Sequence, residues 1–141
     1  MLPAAFLVVL LQPQALVDPT AVAVARAFAQ SVADADAVAS SALCATPMNV
    51  DGEILADRAA LERRMAAVLS TRRLERRYPV SVTVLHAAEA RRRYGPPPRR
   101  IATAVAADSL VALVRLPPGR SGYVVVLRRV QGFWRVVAVT S

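Results

Sequence analysis

Apolar and polar positions change period several times along this chain. After Asp18-Pro19-Thr20, with Thr20 as the expected N-cap, an Ala-rich stretch places Ala25, Phe28 and Val32 at helical spacing. Asp34-Ala35-Asp36 interrupts that pattern, and Asp36 caps a second short helix from Val38 to Cys44 that Thr46-Pro47 stops. Asp51-Gly52, set between Asn49-Val50 and Glu53-Ile54, signals a tight turn or small hairpin over Met48–Leu55. Asp57 then caps a helix from Arg58 to about Ser70, with Leu61, Met65, Val68 and Leu69 on one stripe. Arg72–Arg77 is a charged, solvated connector. Val80–Val84 alternates with period two and reads as a strand that His86 closes. Ala87–Tyr94 is helical with Gly95 as its stop, and Pro96-Pro97-Pro98 lies beyond. Arg91, Arg92, Arg93, Arg99 and Arg100 surround that run and read as a mobile basic loop. Ile101–Ala107 fits helix or strand, with a short helix ended by Asp108 preferred.

The last third reads as an antiparallel meander: Leu110–Leu116, Tyr123–Val130 and Phe133–Thr140. Its joints are Pro117-Pro118-Gly119-Arg120-Ser121-Gly122 and Gln131-Gly132. A two-residue turn at Gln131-Gly132 pairs Val130 with Phe133, and the register follows by stepping outward. Arg129 then faces Trp134, where it can lie over the indole, Leu127 faces Val136 and Val125 faces Ala138. The other face pairs Val126 with Val137 and Val124 with Val139, and sets Arg128 against Arg135. Opposed like charges belong in solvent, so the Trp134 face is expected inward. The outward face is too rich in Val to be wholly wetted. Val124, Val126, Val137 and Val139 are therefore expected to form a self-complementary dimer face, with Arg128 and Arg135 at its rim near Glu75 or Glu89 of the other copy.

Composition changes this picture little. A chain of 141 residues makes one domain. Its net charge of +8 comes from 18 basic residues, every one an Arg. Scattered Arg, sparse aromatics and no Lys argue against nucleic acid as a partner. Residues 1–17 contain the apolar run Leu2–Leu11, too short to span a membrane and suited to a signal peptide cleaved after Ala15. Pro13 and the missing basic leader depart from that pattern. Export to the periplasm or exterior follows if the leader is a signal peptide, a cytoplasmic location otherwise. No later stretch is apolar for long enough to make a transmembrane anchor. The lone Cys44 excludes an internal disulfide and reads as a small buried hydrophobe.

Three stretches together resemble the nuclear transport factor 2-like superfamily (SnoaL-like, cystatin-like α+β cone). They are Ala27–Cys44 with its Asp34-Ala35-Asp36 break, Val50-Asp51-Gly52-Glu53-Ile54 before the Asp57-capped helix, and Val124–Thr140. The resemblance implies an α+β fold over 18–141, with N-terminal helices packed on a strongly curved, mainly antiparallel sheet. It also implies a conical apolar pocket, which Phe28, Val32, Tyr123 and Trp134 would line, and dimerisation through the sheet. Enzymes of the superfamily place an Asp or His base and a Tyr or acid in the cone. Here Asp34, Asp36, His86, Tyr78, Tyr94 and Tyr123 are available, but none sits in a recognisable catalytic pattern. Asp34 and Asp36 serve as helix breaker and cap, and a strand-end His is more often structural. The leading expectation is a non-catalytic domain binding a small apolar ligand or another protein, without cofactor or metal. The alternative is a small isomerase, dehydratase or cyclase with His86 or Asp34 as base.

Overall fold

The computed structural model describes residues 16–71, 80–116 and 121–141. The leader through Ala15, the Arg72–Arg77 connector and the Pro117–Arg120 part of the first meander joint lie outside the described residues. α1 (Pro19–Ala33) begins at Asp18, whose carboxylate accepts the Thr20 backbone N–H at 2.9 Å. Asp18 rather than Thr20 is therefore the N-cap, and Pro19 takes the first helical position, where its missing N–H costs nothing. Thr20 instead donates its hydroxyl to Asp18 at 2.6 Å. Ala21, Ala25, Phe28, Ala29 and Val32 form the buried stripe. α2 (Ala37–Ala42) starts as expected at Asp36, which accepts the Ala39 N–H at 2.9 Å.

Cys44 does not belong to that helix. It opens β1 (Cys44–Val50), which runs through Pro47 rather than stopping there. The β1–β6 ladder has no paired residues between Cys44 and Asn49, so Pro47 sits where no ladder donor is needed. β1 then turns into β2 (Glu53–Leu55) with Val50 opposite Glu53. Asp51 and Gly52 both take positive φ, 52° and 93°, as a two-residue hairpin loop twisted to match its strands requires. α3 (Arg58–Thr71) is capped by Asp57, which accepts the Ala60 N–H at 2.8 Å, and buries Leu61, Met65 and Leu69.

β3 (Ser81–His86) leads directly into α4 (Ala87–Tyr94), which ends at Gly95. Ile101–Ala107 contributes one 3₁₀ turn, Ala102–Ala104, and no strand. The meander follows as β4 (Leu110–Leu116), β5 (Ser121–Val130) and β6 (Phe133–Thr140). The strands form one curved, unclosed sheet in the order β2-β1-β6-β5-β4-β3. β1 and β6 run parallel, and every other neighbouring pair is antiparallel. α1 and α3 pack on one face, giving the α+β architecture expected from the sequence.

The β5–β6 register agrees with expectation only near the turn. Val130, Arg129, Arg128 and Leu127 face Phe133, Trp134, Arg135 and Val136. Beyond that a β-bulge inserts Val137, so Val126 faces Ala138, Val125 faces Val139 and Val124 faces Thr140. One extra residue exchanges the faces of everything after it. Val139, expected outward, packs on the helix side, and Ala138, expected inward, lies on the outer side with Val137. The outer face is also covered by the chain's own residues. Ile101, Ala104 and Val105 lie over Val126 and Ala138, and Ile101, Val126 and Ala138 have no exposure at all. A charge at Val126 would be buried in a single copy, so that residue cannot be the dimer contact expected of it. The Pro run and its arginines likewise lead into a packed layer rather than a mobile loop.

This double-sided packing predicts two separate sensitivities. Phe28→Ala should destabilise by about 3–5 kcal/mol and Ile101→Ala by about 2–5 kcal/mol, as emptied buried sites do. Thr83→Ala, exposed on β3, should stay within about 0.5 kcal/mol. Urea denaturation of the three variants measures this, and an Ile101 variant as stable as the Thr83 variant would refute the outer layer.

Candidate functional site

Two sides of the sheet offer places for chemistry. On the helix side, Phe28, Val32, Val50, Met65, Leu69, Tyr123 and Val139 surround a recess of about 30 Å³. That is room for about one water molecule. Phe28, Val32 and Tyr123 line it together, and Trp134 does not. Its indole Nε1 donates to Asp18 Oδ2 at 3.1 Å, and Arg129 donates to the same oxygen at 2.9 Å. The Arg129 guanidinium lies 5.3 Å from the indole centroid, the cation–π contact anticipated from the register. Asp18 therefore ties the start of α1 to the β5–β6 hairpin. Hydrogen bonds from the Thr20 hydroxyl and N–H, then from Trp134 and Arg129, hold its carboxyl well below the ordinary carboxylate range.

The expected base candidates are not assembled. Asp34 is exposed at the C-terminal end of α1, where it accepts from Gln30 at 3.1 Å. Asp36 is spent on its cap. His86 is half-buried at the β3–α4 junction, with Leu110 as its strand partner. Neither Asp34 nor His86 lines the helix-side recess with Tyr123. Tyr94 is exposed on α4, and Tyr78 lies outside the described residues. Cys44 is buried and donates to the Ser40 carbonyl at 3.3 Å. Burial pushes its thiol up to about 12, a larger effect than the opposing fields of Arg58 and Arg135. A thiol held neutral at physiological pH is a poor nucleophile. Among the described residues no group of three His, Cys, Asp or Glu is placed to hold a metal, and no helix is long and apolar enough to cross a membrane.

The outer side is more open. A recess of about 260 Å³ lies between α4, the Pro96–Pro98 run and the outward residues of β4 and β5. On the other side of the 3₁₀ turn, a depression of about 400 Å³ is lined by Pro47, Ile54, Thr103, Arg128, Val130 and Val137, among others. Ile54 is 60% exposed and Val130 37%, while Phe133, opposite Val130 in the ladder, is 66% exposed. Sequence reading missed both features. The signal available was Ile101, an isolated large aliphatic after the basic Pro run, which needs a partner to cover.

No protein-family model matches the chain, and no curated protein matches it in sequence. Among solved structures it is similar to a candidate calcium/calmodulin-dependent protein kinase type II association domain from Thiobacillus denitrificans. That likeness covers 88% of this chain and 94% of the other at 19% identity, with a TM-score of 0.50. A second candidate domain of the same description, from Xanthomonas campestris, aligns over 79% of this chain and 76% of its own at 15% identity, with a TM-score of 0.43. At 19% identity the Thiobacillus likeness is one of fold: an α+β arrangement with helices on a curved open sheet.

Two expectations follow from these environments. The Asp18 carboxyl is depressed in the folded state, so its contribution is complete above the ordinary value of 3.8 and is lost as pH falls below it. Asp18→Asn keeps a capping acceptor and removes the charge. Its urea midpoint should lie below that of the parent at pH 7, and the gap should close in strong acid; a gap independent of pH would contradict the clasp. Cys44 should resist a disulfide reagent at pH 8 until the chain is unfolded. Labelling of the folded protein at the rate of a free exposed thiol would show that the site is open.

Proposed function

We propose that this chain is a non-catalytic association domain of the nuclear transport factor 2-like superfamily, which pairs with a second copy across the outer face of its sheet. The observation that carries this reading is the uncovered apolar surface on one side of the 3₁₀ turn. Ile54 and Val130 are exposed there, beside Pro47 and Val137, and the exposed Phe133 pairs with Val130 in the ladder. Apolar surface of this kind, rimmed by Arg128 and Arg135, is typical of a contact face. A two-fold contact needs only one such patch, because the surface is its own partner.

The shared fold supports the superfamily, and the neighbour's description as an association domain supports assembly. The expected bases are not gathered with Tyr123 among the described residues. The helix-side recess holds about one water, and neither Asp34 nor His86 reaches it. The interface differs in composition from the all-valine face the meander suggested. Val124 and Val137 pack with the outer layer, Val126 is fully covered, and Val139 has turned to the helix side.

Sedimentation at micromolar concentration should give a dimer for the parent chain. Val130→Asp and Ile54→Asp should each give a folded monomer, because both replace exposed residues and bury charge only in the pair. A parent chain that stays monomeric, or variants that remain dimers, would remove this reading.

A further inference from the structure

The recess over β4 and β5 lies on the other side of the 3₁₀ turn from the association patch, and its chemistry differs. α4 turns Ala87 and Ala90 towards the sheet, and such short side chains cannot fill the space between the layers. Ile101, Val111, Leu113 and Val124 make its walls. Pro96, Pro97 and Pro98 close it with backbone that carries no N–H donor. Polar groups stand only at the margin. Arg91 and Tyr94, both exposed on α4, line the edge.

Arg91 differs from its neighbours. Arg92 and Arg93 share Glu89 at 3.5 and 2.8 Å, whereas Arg91 has no ion pair among the described residues. The C-terminal turn of α4 would by itself repel an anion, but three arginines sit in that turn and reverse the local sign. An unpaired guanidinium over an apolar slot suits a carboxylate carried on a hydrocarbon body.

We propose that this recess binds a small amphipathic carboxylate, with its hydrocarbon part between Ala90, Ile101 and Leu113 and its carboxylate on Arg91. The volume of about 260 Å³ limits the ligand to roughly nine water-sized groups, below the usual range for drug-sized molecules. Octanoate is of that size, and 1-octanol is its neutral counterpart.

The test titrates the full chain with sodium octanoate and, separately, with 1-octanol, following backbone amide shifts. Saturable octanoate shifts should centre on Ala90, Tyr94, Ile101, Leu113 and Val124. Arg91→Gln, an exposed substitution, should melt as the parent does and weaken octanoate by about tenfold while leaving octanol unchanged. Ile54→Asp should bind octanoate as the parent does, so this proposal and the association reading can fail separately. No saturable shift below about 10 mM would overturn the proposal. So would shifts centred on Phe28 and Tyr123, octanol binding as tightly as octanoate, or an Arg91→Gln variant with unchanged affinity. Shifts that follow protein concentration instead of octanoate would assign the recess to a second copy and also overturn it.

Discussion

One extra residue in β6 governs both faces of this sheet. β6 pairs with β5 on one side and β1 on the other, so its side chains must serve the helix layer and the outer layer together. A regular strand alternates strictly, and would have sent Ala138 to the helices and Val139 to the outside. The bulge at Val137 breaks that alternation once. Val136 and Val139 then both face the helices, while Val137 and Ala138 both face Ile101 and its neighbours. Bulges also sharpen twist, in keeping with the curvature that wraps the sheet around α1 and α3.

The two layers built on that sheet differ in kind. The helix side is a large continuous core in which Phe28, Met48, Leu61 and Leu127 are fully buried. Asp18 secures its border by holding the first turn of α1 against Trp134 and Arg129. The outer layer is small, resting on Ile101, Val126 and Ala138. It divides the outer face into two regions: an exposed apolar patch around Ile54 and Val130, and a recess under α4 edged by Arg91. Among the described residues the helix-side recess is small, about 30 Å³, while both outer regions are wider.

The opposed Arg128 and Arg135 illustrate how local electrostatics and sheet register agree. Two like charges in a strand pair are tolerable only where solvent reaches them. Arg135 also donates to the Ala42 carbonyl at 3.0 Å and lies 5.9 Å from the Phe133 ring centroid, which turns it from Arg128 towards local partners. This pair oriented the hairpin correctly from the sequence, and the orientation held as far as Val136.

What the sequence determined by itself were the features set by short-range physics. Asp36 and Asp57 cap their helices because a carboxylate reaches a free N–H three residues on. Asp51-Gly52 and Gln131-Gly132 turn because these pairs accept positive φ. The tertiary structure alone decided the rest. Pro47 is tolerated inside β1 because the ladder there makes no demand on it. The bulge at Val137 carries no local signature, since Val suits either face equally. Ile101 found its partners some twenty-five residues further along the chain, at Val126. Phe28 and Tyr123 met through packing, at a recess that neither Asp34 nor His86 lines. Contacts of that span depend on how the layers close on one another, which no local pattern encodes.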